Sequence, residues 1–84
     1  MPRYFFHTIN SQFTPDLQGT VCETAEEVRA EAVIAAGAML KDLGLNLWTT
    51  NRFYMFVTDE QNMTHLKLSF DVEDLTGKLG GGKS

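Results

Sequence analysis

A chain of 84 residues has room for one hydrophobic core and no second domain. Its 43% hydrophobic and 21% charged residues suit a folded protein of modest stability and not a disordered tail. The formal net charge of −4 disfavours wrapping a phosphate backbone over most of the surface. The single cysteine, Cys22, excludes an intramolecular disulfide and any cysteine-based zinc site.

In chain order, residues 3–10 are rich in aromatic and β-branched side chains and predict a first strand, broken by Asn10, Ser11, Gln12 and then Thr14, Pro15, Asp16. The apolar part of this opening is too short for a signal peptide or a membrane span, which makes the cytoplasm the expected compartment. Residues 19–22 predict a short second strand that closes a hairpin with the first. Thr24 followed by Glu27 is a capping box that opens a helix, and Glu23, Glu26 and Glu27 sit where the helix dipole favours negative charge. Ala25, Val28, Ala32, Ala35, Met39 and Leu43 recur at three- and four-residue steps as one buried stripe, widened by Ala36 and Leu40. Gly44 ends the helix. A loop through residues 46–51 follows, with Trp48 expected to cover one end of the core. Residues 52–58 predict a third strand, residues 59–62 a turn, and residues 63–70 a fourth strand alternating at Leu66, Leu68 and Phe70.

These elements define an α+β fold, a β-hairpin, a helix and a second β-hairpin. The helix carries strand two to strand three in the same direction by a right-handed crossover. Placing strand one between them makes every neighbouring pair antiparallel. The expected sheet is therefore four-stranded and antiparallel in order 2-1-3-4, with the helix on one face. Residues 1–73 form the expected single domain and residues 74–84 a flexible glycine-rich tail.

The opening Pro2-Arg3-Tyr4-Phe5-Phe6-His7 resembles a family of small uncharacterised bacterial proteins common in rhizobia and their relatives. So do Asp16-Leu17-Gln18-Gly19-Thr20, Arg29-Ala30-Glu31-Ala32 in the helix, and Val57-Thr58-Asp59-Glu60 leading into a strand. Cys22 stands where the family usually has Leu, Phe53 where it often has Trp, and Asn62 where it tends to have Gly. Asn tolerates positive φ, so the turn is expected to survive that change. The resemblance implies a fold unit of bacterial origin; it implies no reaction and no active site.

Several motifs have plainer readings than their chemistry suggests. Residues 77–84 spell G-x-x-x-x-G-K-[ST], but a phosphate loop must open a helix, and a glycine-rich stretch yields this spelling by composition. His7 and His65 lie on strands that strand three separates in the expected order, and no third ligand is evident for a metal. Asp59 and Glu60 are adjacent, so they point to opposite faces and serve a turn better than acid–base chemistry. Cys22 reads as a small buried hydrophobe. No catalytic, cofactor-binding or metal-binding residues, no cofactor and no small-molecule substrate are expected.

One helix covers only one side of such a sheet. With Phe53, Met55 and Val57 inward, period-two alternation turns Arg52, Tyr54 and Phe56 outward. Strand one adds Arg3, Phe5, His7 and Ile9, and strand four adds His65 and Lys67. The register of strand one stays open, because Tyr4-Phe5-Phe6 is apolar on both sides; a flip exposes Tyr4 and Phe6 instead. Either way an aromatic patch is left on the helix-free face, and patches of that kind mark interfaces. The expected function is a non-catalytic interaction module that self-associates as a homodimer or binds a protein partner through this face. Single-stranded nucleic acid, stacked on the same aromatics, is the alternative.

Overall fold

The computed structural model describes residues 2–77. Its elements are β1 (Arg3–Ile9), β2 (Phe13–Thr14), β3 (Thr20–Val21), α1 (Ala25–Leu43), a 3-10 turn (Gly44–Asn46), α2 (Leu47–Thr50), β4 (Arg52–Thr58) and β5 (Thr64–Asp71). The sheet is antiparallel, ordered β2-β1-β4-β5, with β3 also on β1. The α+β class and the antiparallel sheet are as the sequence predicts, but the exact strand order and hairpin layout differ: the expected single edge strand is divided into β2 and β3.

The division has a simple geometry. Between the pairs Tyr4↔Thr20 and Thr8↔Thr14, β1 advances four residues while the edge segment advances six. Two extra residues must loop out, and they do so after Pro15, which cannot donate to a ladder. Asp16 fills the gap. Its carboxylate accepts the Phe6 N–H that a continuous strand would have bonded, at 3.2 Å, and also the N–H groups of Gln18 and Gly19 at 3.1 and 3.0 Å.

At the start of α1 the Thr24 hydroxyl accepts the Glu27 N–H at 3.1 Å, as the sequence predicts, but the Glu27 carboxylate reaches one residue further back, to the Glu23 N–H. Val28, Ala32 and Ala36 are buried, with Ala35, Met39, Leu40 and Leu43 packed alongside. Ala25 lies outside this stripe and is exposed. The small side chains let α1 lie close over β1 and β4, where Phe6, Phe53, Met55 and Val57 complete the core. The helical path continues past Gly44 (φ 51°) through the 3-10 turn and α2, in place of the expected loop, and ends at Asn51 with φ 67°. Leu47 of α2 packs on the core, whereas Trp48 is 48% exposed and does not cover it.

Gly37 sits on the exposed side of α1, where an added Cβ would meet nothing within 4 Å. Gly37→Ala is therefore expected to stabilise the domain by about 1 kcal/mol through helix propensity alone. The check is a rise in thermal midpoint of about 4–8 °C for a domain of this size.

Candidate functional site

The register of β1 follows from its neighbours. Phe6 faces Val57 and Thr8 faces Met55 across the β1–β4 ladder, and all four are buried on the helix side. Phe5, His7 and Ile9 therefore share the opposite face, against Thr58, Phe56 and Tyr54 respectively. Lys67 lies across from Phe56 on β5, and Asp71 across from Arg52. Each of Phe5, His7, Ile9, Tyr54 and Phe56 is half-buried by its neighbours, so the face is a continuous tiled surface and not a set of isolated protrusions.

The tiles are held in place. The Phe5 and His7 rings stack with centroids 6.3 Å apart at 10°, and Phe13 of β2 extends the row at 5.9 Å from His7. Phe13 is 56% exposed. By sequence it falls in a loop, because a two-residue strand created by pairing leaves no periodic signal. The His7 Nδ1 accepts the Asp16 N–H at 3.1 Å, which leaves Nε2 as the protonated nitrogen of the neutral ring, donating to Thr58 Oγ1 at 3.0 Å. One histidine thus ties the edge loop to β4 through the plane of the face.

The cations are turned onto this face or its margins. Lys67 Nζ lies 5.3 Å from the Tyr54 ring centroid and 5.9 Å from that of Phe56. Arg52 donates to the Tyr54 hydroxyl at 3.2 Å, and Arg3, at the far end of β1, donates to the Gln18 carbonyl at 2.9 Å. His65 is placed differently from the other expected residues. A register shift at Val57/Thr58 interrupts the β4–β5 ladder, and the His65 ring packs edge-on against Tyr4 with centroids 5.8 Å apart. Its Nε2 is 2.8 Å from Asp59 Oδ2, and Asp59 also accepts the N–H groups of Gln61 and Met63. The hydrogen bond from His65, with those from the two amides, holds the Asp59 carboxyl below its usual range. Asn62 takes φ 69° in the same turn.

Among the described residues no group of three or more His, Cys, Asp or Glu is placed to hold a metal, and no helix is long and apolar enough to cross a membrane. Cys22 is buried, and desolvation, with Glu31 and Glu27 nearby, pushes its thiol up. A cleft of about 260 Å³ opens between the far end of β1–β2 and the last turns of α1, lined by Thr8, Asn10, Thr14, Asp42 and the apolar Met39, Leu43 and Phe53. Apart from Gly77, the stretch that spells a phosphate loop lies outside the described residues, as does most of the expected tail.

A second apolar surface is one that period counting does not pick out. Val33 and Ile34, on the outside of α1, are each 64% exposed. Its signal is nonetheless in the sequence: residues 32–40 carry no charge at all, whereas a helix with one buried face alternates its apolar side with a polar one.

One long helix on one side of an antiparallel sheet defines a two-layer α+β domain. Over residues 3–71 the sequence matches the model of the domain of unknown function DUF6894, and the chain belongs to that family. No curated protein and no solved structure matches it significantly.

Proposed function

We propose that the chain is a non-catalytic interaction module, acting in the bacterial cytoplasm, whose helix-free sheet face packs on the same face of a second copy about a twofold axis. The observation that carries this reading is the uninterrupted row of Phe13, His7 and Phe5 beside Tyr54 and Phe56, with no described element lying over it. The middle of the face is aromatic and carries one charged side chain, Lys67, whose ammonium lies over the Tyr54 and Phe56 rings. Arg3 and Arg52 stand at opposite ends, and Asp71 lies across the strand from Arg52, on a polar rim. Two such sheets packed face to face, about 10 Å apart, complete a sandwich, and twofold pairing is the commonest oligomeric arrangement. The formal net charge of −4 favours a protein surface over a nucleic-acid strand, whose affinity would rest largely on neutralising phosphates.

The test is solution mass by light scattering over a wide concentration range. Phe56→Asp is expected to halve the mass while leaving the far-UV circular dichroism unchanged, since it removes a central ring of the apposed faces and buries a carboxylate there, beside Lys67, only in the assembled form. Ile34→Asp, on the outside of α1, is expected to leave the mass as it is. A mass that falls with Ile34→Asp and not with Phe56→Asp would move the docking surface to the helix and overturn the reading.

A further inference from the structure

The two edges of the sheet are built in opposite ways. The β1 side is blunted by two-residue strands, a proline between them and the Asp16 side chain in the gap. Such devices are how edge strands avoid pairing with other chains. The other edge, β5, is an eight-residue strand with no proline, and no strand lies beyond it among the described residues. Its one irregularity is at the Thr64 end, after which residues 66–71 pair with β4 without a break.

Which peptide groups of β5 face outward can be derived. The Val72 N–H donates to the Asn51 carbonyl at 3.1 Å, so 51 and 72 form a hydrogen-bonded pair in the register that sets Arg52 opposite Asp71. Such pairs alternate along an antiparallel ladder. Phe70, Leu68 and Leu66 therefore turn their peptide groups to β4, and Lys67, Ser69 and Asp71 turn theirs to the open edge.

A second copy pairing antiparallel about a twofold axis must match these odd-numbered residues with one another, so the axis falls on a whole residue, odd or even. Centred on Lys67 or on Asp71, it sets like charges face to face. Centred on Leu68, it leaves Lys67 opposite Ser69; centred on Phe70, it sets Asp71 opposite Ser69 and matches Lys67 only with Glu73, beyond the end of β5. Centred on Ser69, it sets Lys67 opposite the second copy's Asp71, and again by symmetry. The same register sets Leu68 opposite the second copy's Phe70, and Leu66 opposite its Val72. Leu66, Leu68 and Phe70 are half-buried at the margin of a core whose helix lies over β1 and β4. Their pairing would continue the apolar layer across the axis.

We propose that β5 is a self-pairing edge, joining two copies antiparallel about Ser69 into one continuous sheet. The charge and apolar matches of that register single out a second copy as the occupant. This pairing is independent of face-to-face packing and places two helix-free faces side by side; with both contacts formed, the assembly is a tetramer with three perpendicular twofold axes.

The experiment separates the two contacts by reading solution mass in the Phe56→Asp chain, where face packing is blocked. That chain is expected to remain a dimer, whereas in the otherwise unchanged chain Lys67→Asp is expected to halve the mass and the further change Asp71→Lys to restore it. Ser69→Cys is expected to cross-link to itself on mild oxidation, both in the Phe56→Asp chain and in the otherwise unchanged one. A hydrogen-bonded pair holds its Cα atoms about 5.5 Å apart, within disulfide range, whereas Lys67→Cys is expected not to cross-link. A monomeric Phe56→Asp chain, or a dimer that ignores Lys67→Asp and gives no cross-link with Ser69→Cys, would overturn edge pairing and leave the face reading standing. A chain that is only a dimer, cross-links when it carries Ser69→Cys and keeps its mass on Phe56→Asp would sustain edge pairing and overturn face packing.

Discussion

Asp16→Ala is expected to lower the unfolding free energy by about 2–4 kcal/mol, an estimate for losing the acceptor of three amides, one of them partly buried. The Phe6, Gln18 and Gly19 N–H groups all end on this carboxylate, and the Phe6 amide points into the gap where the edge strand is missing. Alanine leaves the gap open without an acceptor, and the loop that also bonds His7 loses its anchor. The measurement is the urea midpoint, with the slope used to confirm that the same surface is exposed on unfolding. The site should also shape the acid limb of stability. Burial, the largest single influence, pushes the Asp16 carboxyl up, but the hydrogen bonds from Gly19, Phe6 and Gln18, helped by His7, outweigh it and hold the group below its ordinary 3.8. A folded value below the unfolded one means a contribution that is complete above the unfolded value and lost as pH falls through the folded one. Asp59 is shifted in the same direction. Between about pH 5 and pH 2 the wild-type chain is therefore expected to lose stability more steeply than Asp16→Asn.

Gly19→Ala is the other substitution expected to cost several times the thermal energy, roughly 2–4 kcal/mol. Gly19 has φ +74°, which by itself disfavours an L side chain. A Cβ there would also stand 2.8 Å from Arg3 Cγ, 2.8 Å from Phe5 Cε2 and 2.9 Å from the Tyr4 carbonyl oxygen. The arginine stem can swing aside, but the carbonyl belongs to β1 and the phenylalanine ring is stacked on His7. Relief would push the loop off the sheet and disturb the aromatic row with it. The check is a lowered thermal midpoint, together with loss of the near-UV aromatic signal before the far-UV signal changes.

The helix is legible because its signals are local: Thr24 and Glu27 for the start, Gly44 for the end, and a stripe at helical spacing between them. The inward sets of β4 and β5 are legible for the same reason, since alternation of apolar and polar side chains is written in consecutive residues. β1 cannot be read so directly. Tyr4, Phe5 and Phe6 satisfy either face, and only the pairing of Phe6 and Thr8 with Val57 and Met55 decides it. The divided edge is hidden because Phe13 and Thr14 become a strand through β1 and not through any propensity of their own. Asp16 reads in sequence as a turn residue beside a proline, and its role as acceptor for an amide ten residues earlier exists only once the chain has folded back. His65 illustrates the opposite failure. Period-two counting puts it beside Lys67, and a single register shift near Thr58 takes it to Asp59 and Tyr4 instead. For the candidate face as a whole, the residue types are visible in the sequence, while the order in which the rings lie against one another is not.

The unequal edges also set a valence. Growth of a cross-β fibre needs a monomer with two reactive ends, so that each addition creates a new site for the next. Here the end made by β2, Pro15, Asp16 and β3 is blunted by its own loop, and among the described residues β5 is the long edge with no strand beyond it. With the edge pairing proposed above the domain is, in the language of polymerisation, monofunctional, and strand addition would stop after the first step. Damage to the Asp16 plug would add a second reactive end, turning a self-terminating pair into a chain-growth unit.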